Sequence, residues 1–297
     1  MTTVAFPISG IETWPWLPPL AALVVSFFTS MVGVSGAFLL LPFQMSVLGF
    51  GGPAASATNL VFNLFATPGG VWRYARDGRM AWPLAGLIVV GTLPGVVLGF
   101  YLRVLVLAEA GRFQLFVGAV MLYLAWRLLA DLAPWARPPP LVSVPPGARL
   151  RLLHAGARRV ELRLGEQVFG FSTPAVLALA CLVGVVGGAY GIGGGAIIAP
   201  VLVGVMRLPI HAVAGAALAG TFATSVLGVA VYSLLPVPGG GSAAPDWLLG
   251  ALFGLGGLAG MVLGAATQRY LSQRLLRLGL GLGLAGLALG YLSPLVL

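Results

Sequence analysis

Long runs of apolar residues without any charge dominate the pattern of this chain. They extend over residues 13–72, 80–102, 167–206, 247–268 and 278–297. A helix that crosses a bilayer needs ~20 consecutive apolar residues. Within these runs, apolar positions do not alternate with the polar helix faces of a soluble protein. The pattern therefore predicts an all-α polytopic membrane protein.

The runs divide into eight apolar elements, four in each half of the chain. They cover about 17–48, 54–74, 82–103 and 111–130, and then 173–205, 209–235, 246–267 and 275–293. Glycines interrupt the first element of each half, in "GVSG" at 33–36 and "YGIGGG" at 190–195. The pieces 17–32 and 36–48 are each about 20–24 Å long as helices, which is shorter than the hydrocarbon core. Each first element is therefore predicted to be a broken or re-entrant helical hairpin.

The two halves align as a tandem repeat. "GVSGAFLLLP" at 33–42 matches "GIGGGAIIAP" at 191–200 without a gap. The same register places Asn63 on Thr221 and Thr67 on Ser225, and after a seven-residue insertion Trp82 meets Trp247. We expect two homologous transmembrane repeats, 17–133 and 172–297. Internal repeats of this kind are typical of secondary transporters.

The net charge of +9 comes entirely from arginine. These arginines cluster at the ends of apolar runs, as the positive-inside rule expects, and this distribution argues against nucleic-acid binding. If the N-terminus is outside and both first elements are re-entrant, fourteen arginines face the cytoplasm. Arg103 and Arg112 then remain outside. This distribution favours two inverted repeats over two parallel ones.

Two segments lie outside the repeats. Residues 1–16 form an N-terminal segment in which Trp14 and Trp16 are predicted to anchor at the membrane interface. Residues 134–171 form a proline- and arginine-rich linker, predicted to be cytoplasmic. Polar and apolar residues alternate in its second part, for example in "VELRL", which predicts a small β-hairpin or three-stranded flap.

Three features together resemble the TauE/SafE family of sulfite and organosulfonate exporters. They are the duplicated glycine-rich segment ending at Pro42 and Pro200, the helix "AGAALAGTFATSVLG", and the turn "DGRMAW". The resemblance covers nearly the whole chain except 134–171. It implies a multi-pass permease of the bacterial inner (plasma) membrane that moves small sulfur-containing anions, usually outward. The first copy departs from the pattern, because Ser35 and Ala37 stand where the second copy has Gly193 and Gly195.

The two glycine-rich tips are the predicted anion site. Helices that start at Gly36 and Gly194 would direct free N–H groups and the positive ends of their dipoles at the ligand. Polar residues follow each tip at helical spacing. The predicted substrate-binding residues are Ser35, Gly36, Asn59, Asn63, Thr67, Gly193, Gly194, Gly195, Thr221, Thr224 and Ser225. Glycines that only permit close helix packing, and polar residues that only join helices, are the structural alternative.

Catalytic chemistry has little support in the sequence. All seven carboxylates lie in loops or at helix ends, and there is no HExxH motif or Ser-His-Asp set. A single cysteine, Cys181, excludes a cysteine-based metal cluster. We expect no enzyme activity, metal or cofactor, and as partners a small anion and the lipid bilayer, with a homo-oligomer permitted. A passive anion channel is the alternative function, ahead of a membrane-embedded enzyme or an assembly subunit.

Overall fold

The computed structural model describes residues 3–130, 132 and 150–293, and it is mostly helical. The helices of the first half are α1 (Leu17–Met31), α2 (Ala37–Ser46), α3 (Pro53–Ala66), α4 (Pro68–Arg76), α5 (Trp82–Tyr101) and α6 (Ala110–Ala130). Those of the second half are α7 (Thr173–Tyr190), α8 (Gly195–Gly204), α9 (Ile210–Leu234), α10 (Trp247–Thr267) and α11 (Gln273–Leu292). A π-helical turn, Leu102–Val106, continues α5.

Six helical segments within the described residues are long and apolar enough to cross a membrane. They are Trp82–Val106, Ala110–Ala130, Thr173–Tyr190, Ala212–Leu234, Trp247–Thr267 and Gln273–Leu292. Their length matches the ~20 residues that a hydrocarbon core requires. The polytopic membrane class predicted from the sequence is therefore confirmed.

The first element of each half is broken at the glycines. Gly33 after α1 has φ +77°, and Gly191 and Gly193 after α7 have φ +87° and +69°. These are left-handed conformations that glycine adopts without steric cost. A Cβ on Gly191 would also lie 2.9 Å from the carbonyl carbon of Ser56. The helices that precede the two breaks differ in length: α7 has 18 residues and α1 has 15.

The second element of the first half is not one helix, although the apolar run at 54–74 predicted a single element. α3 ends at Ala66 and α4 begins at Pro68. Proline lacks the N–H group that a continuing helix needs, and its ring clashes with the carbonyl four residues back. In the second half no proline occupies the corresponding place, and α9 runs through 25 residues.

Each broken element packs along a helix of the other half. α5 lies along α7 and presents Gly91, Gly95 and Gly99 to it, whereas α10 lies along α1 and presents Gly256, Gly260 and Gly264. A Cβ on Gly95 would lie 2.9 Å from the Cα of Gly184. The glycine rows therefore let backbones approach closely, as small residues do between membrane helices. α3 contacts both α9 and α10, and α6 packs on α11.

Two small sheets flank the helices. At the N-terminus, β1 (Val4–Phe6) pairs antiparallel with β2 (Ile11–Thr13). Their turn is tied to the start of α10, because Ser9 Oγ donates to Asp246 Oδ2 at 3.0 Å. Before α7, β3 (Leu150–Ala155), β4 (Arg159–Leu164) and β5 (Gln167–Ser172) form an antiparallel sheet in the order β3-β4-β5. The proline-rich part of the linker, 134–149, lies outside the described residues.

Candidate functional site

The two helix breaks lie side by side inside the bundle. Asn59 on α3 joins them, because its Nδ2 donates to the carbonyl of Ala37 at 2.8 Å and to that of Gly191 at 3.1 Å. Tyr190, the last residue of α7, adds a second link by donating its hydroxyl to the carbonyl of Phe38 at 2.8 Å. Residues at 33–37 and 191–195, the first and second tips, therefore face a common region.

Asn59 is fully engaged by the protein. Besides the two carbonyls that its Nδ2 meets, its Oδ1 accepts a hydrogen bond from Gln44 Nε2 at 3.4 Å. The side chain is completely buried. Both ends of this amide therefore serve to hold the two tips together.

Asn63, one turn further along α3, is in the opposite situation. Its side chain is also completely buried, yet neither Nδ2 nor Oδ1 has a hydrogen-bond partner among the described residues. Nδ2 lies 3.4 Å from the position that a Cβ would take on Gly193, so the amide faces the second tip. Each unpaired buried polar group costs about 1–3 kcal/mol. A buried amide with two unpaired ends therefore requires an explanation, such as a ligand or water at that place.

The second tip is held by Thr221 of α9. The backbone N–H of Gly195 donates to Thr221 Oγ1 at 2.8 Å, and that hydroxyl donates to the carbonyl of Ala217 at 3.1 Å. A Cβ on Gly195 would lie 2.6 Å from the same Ala217 oxygen, so only glycine fits. Gly194 has more room, because its Cβ would stand 3.3 Å from Val183 Cγ1.

The first tip has its own hydroxyl groups. Ser35 Oγ accepts a hydrogen bond from the N–H of Ala37, the first residue of α2, at 3.3 Å. Ser26 of α1 points at Gly36, since a Cβ there would lie 2.6 Å from Ser26 Oγ. That oxygen is buried and has no partner among the described residues.

The other predicted hydroxyl residues differ in what remains for a ligand. Thr67 donates to the carbonyl of Asn63 at 2.7 Å, and Thr224 donates to that of Gly220 at 2.6 Å. Their protons are therefore used within their own helices. Ser225 Oγ, by contrast, is buried without a partner in the described part of the chain. The unused donors are thus the Asn63 amide beside the second tip, the Ser26 hydroxyl beside the first tip, and the Ser225 hydroxyl one helical turn after Thr221 on α9.

Sequence reasoning missed four residues that shape the site, namely Ser26, Gln44, Thr92 and Tyr190. Thr92 lies on α5, and its methyl group would stand 3.4 Å from a Cβ on Gly194. Its position between Gly91 and Gly95, on the face that packs against α7, was the available signal. Tyr190 directly precedes the second tip, but its partner Phe38 lies 152 residues away, and the contacts of Ser26 and Gln44 depend on how α1 and α3 pack at the first tip.

The electrostatic character of the tips comes from neutral groups. α2 and α8 both start at the tips and have no side-chain cap with a charge. Among the described residues no group of three or more His, Cys, Asp or Glu is arranged to hold a metal ion. Helix N-termini and neutral donors of this kind are groups that commonly bind anions in proteins.

Comparison with known proteins gives one family and one curated relative. A family model described as "Sulfite exporter TauE/SafE" matches residues 19–291. A "Probable membrane transporter protein" of Xylella fastidiosa (strain 9a5c) is 28% identical over 269 residues, which is 87% of this chain and 87% of the relative. No solved structure matches.

Proposed function

Since the chain belongs to the TauE/SafE sulfite exporter family of multi-pass inner-membrane transporters, we propose that it carries a small sulfur-containing anion. Sulfite and organosulfonates are the substrates we favour, moved outward and bound where the two tips meet. A transporter of this kind catalyses no chemical change, so its specificity resides in how it binds the anion.

The unpaired amide of Asn63 is the observation that carries this proposal. An oxyanion at the second tip would accept a hydrogen bond from Nδ2 and relieve its desolvation cost. The Oδ1 end needs a donor, which water or the hydroxyl of a hydrogensulfite ion supplies. Thus a single small oxyanion with one bound proton or water would satisfy both ends of the amide.

The surrounding groups complete the proposed binding site for the oxygens of a tetrahedral anion. Ser225 and Ser26 provide free hydroxyls, and the N-termini of α2 and α8 bring their positive dipole ends, starting at Gly36 and Gly194. The remaining predicted residues shape the walls of this site and fix its backbone; they are Ser35, Thr67, Gly193, Gly195, Thr221 and Thr224. We assign Asn59 to joining the tips, because its amide is already used.

Packing between the halves supports a two-fold relation of the repeats. α5 lies along α7 through one glycine row, and α10 lies along α1 through the aligned row. Each half therefore contributes a glycine-rich helix to one of these contacts and a broken element to the other, as two-fold related halves would. We propose inverted repeats with the tips near the bilayer midplane, so that α7, although long enough to cross the membrane, would end inside it. In such an arrangement one half rocks against the other during alternating access.

Counterflow in liposomes tests the proposed activity. Purified protein is reconstituted, the vesicles are loaded with unlabelled sulfite, and uptake of external labelled sulfite is followed, with sulfoacetate as the second substrate. A transporter shows saturable uptake that internal sulfite stimulates. Conductance without stimulation would indicate a passive channel instead, and a new chemical product without flux would indicate an enzyme. Either result would contradict the proposal.

A further inference from the structure

Arg103 is a buried cation without an acidic partner among the described residues. It lies in the π-helical turn after α5, and its side chain is completely buried. Nε donates to Ser56 Oγ at 3.3 Å, one terminal nitrogen donates to the carbonyl of Gly51 at 2.7 Å, and the other donates to that of Leu107. The guanidinium also lies 3.6 Å from the centre of the Phe113 ring.

All of these partners are neutral. No carboxylate in the described part of the chain forms an ion pair with Arg103, whereas Arg112 and Arg159 each have one. A charged side chain inside a membrane protein is costly, and such residues usually face a pathway or a ligand. The π-helical turn also indicates a functional role, because such turns occur often at functional sites.

The repeat supplies a comparison within the same chain. Alignment of Trp82 with Trp247 places Gln268 opposite Arg103. Gln268 Nε2 donates to the carbonyl of Met31 at 2.9 Å, and Met31 is the last residue of α1. A neutral amide therefore braces the end of the broken helix in one half.

Arg103 performs the equivalent task through an intermediate residue. The carbonyl of Ala189, which aligns with Met31, accepts a hydrogen bond from Ser56 Oγ at 2.9 Å. Ser56 in turn is held by Arg103 Nε. Since Gln268 braces the other half without a charge, bracing alone does not require a cation at position 103. The positive charge needs a separate reason.

We propose that Arg103 selects ligands at the tips by their charge and favours doubly charged over singly charged oxyanions. This inference rests on the proposed function. Ser56, which Arg103 Nε contacts, precedes Asn63 by seven residues on α3, a rise of about 10 Å along the helix axis that sets the approximate separation of the cation from the unpaired amide. At an effective dielectric constant of about 20, a charge at this distance changes affinity on the order of tenfold per unit of ligand charge.

Competition binding on the purified protein tests this. Sulfate and methanesulfonate share a tetrahedral sulfur oxyanion but carry two charges and one, and each is titrated against bound labelled sulfite. We expect Arg103→Gln to lower the ratio of sulfate to methanesulfonate affinity by about tenfold. Arg103→Lys keeps the charge and should leave the ratio unchanged. The control Arg112→Gln removes an exposed, screened charge and should also leave it unchanged.

An unchanged ratio in Arg103→Gln would overturn the inference, because it would show that the cation only braces the fold. A ratio that falls equally in Arg103→Lys would overturn it too. If Arg103→Gln does not fold, Arg103→Lys still tests the inference, because a lost ratio in this charge-preserving variant refutes it. If wild-type protein binds no sulfite, the proposed function itself is wrong, and the charge selection falls with it.

Discussion

Two asparagines one turn apart on α3 have opposite roles. Spacing of four residues put Asn59 and Asn63 on one helical face, and the sequence predicted both as substrate ligands. Their hydrogen bonds separate them, because the carbonyls that engage Asn59 come from 22 and 132 residues away. No local pattern encodes such distant partners. The sequence could therefore predict that the two asparagines share a helical face, but not which of their amides lacks hydrogen-bond partners.

Replacing each asparagine by alanine should distinguish these roles, because the two variants should differ in their free energy of unfolding. Asn59→Ala removes the hydrogen bonds to the carbonyls of Ala37 and Gly191, so we expect the free energy of unfolding to fall by about 1–3 kcal/mol. Asn63→Ala removes two unpaired polar atoms and should leave the stability equal or slightly higher. Thermal unfolding of the detergent-purified variants measures this. Equal losses in both variants would contradict the assignment.

At the scale of elements, glycine and proline determined what the sequence could predict. The tips were predictable, because "GVSG" and "GIGGG" contain residues that only a helix break requires, and the positive φ values confirm that requirement. The division of α3 from α4 was missed, because the apolar run continues through Pro68 and hides its effect. Ser26 was missed because only packing between helices brings it to the first tip, whereas the position of Thr92 within the glycine row of α5 was a signal that went unused.

Close packing of α10 on α1 predicts different tolerance at two glycines. A Cβ on Gly260 would lie 2.9 Å from the carbonyl carbon of Leu23, so Gly260→Ala should cost about 1–3 kcal/mol of stability. Gly283 on α11 has open space around it, and alanine there should be neutral or stabilising. Melting temperatures of the two variants provide the test. A Gly260→Ala protein as stable as Gly283→Ala would refute this account of the packing.

At the scale of the whole molecule, composition determined the class. Backbone groups in lipid must be satisfied internally, so long apolar runs leave helices as the natural structure. Arg103 departs from the arginine pattern, because it lies at the end of an apolar run as the other arginines do, and yet the structure buries its side chain completely. The substrate's identity could not be predicted, because the tips carry neutral donors that fit any small oxyanion.

The inverted arrangement predicts on which side each loop lies. In a background with Cys181→Ala, cysteines are introduced at Ser242, in the loop before α10, and at Ala157, in the turn between β3 and β4; both sites are exposed. A membrane-impermeant maleimide should label Ser242→Cys in whole cells and Ala157→Cys only after lysis. Parallel repeats would put both residues on the same side, and equal labelling in whole cells would contradict inversion.

Binding of sulfite by Asn63→Ala tests the central claim most directly. Equilibrium binding is measured on the purified wild type, on this variant and on Thr267→Val, which alters a hydroxyl bonded within α10 at its far end. If Asn63 contacts the anion, its loss should weaken binding by about 1 kcal/mol, or roughly fivefold in Kd. The Thr267→Val control should match the wild type. Wild-type affinity in folded Asn63→Ala protein would show that the anion does not bind at this amide.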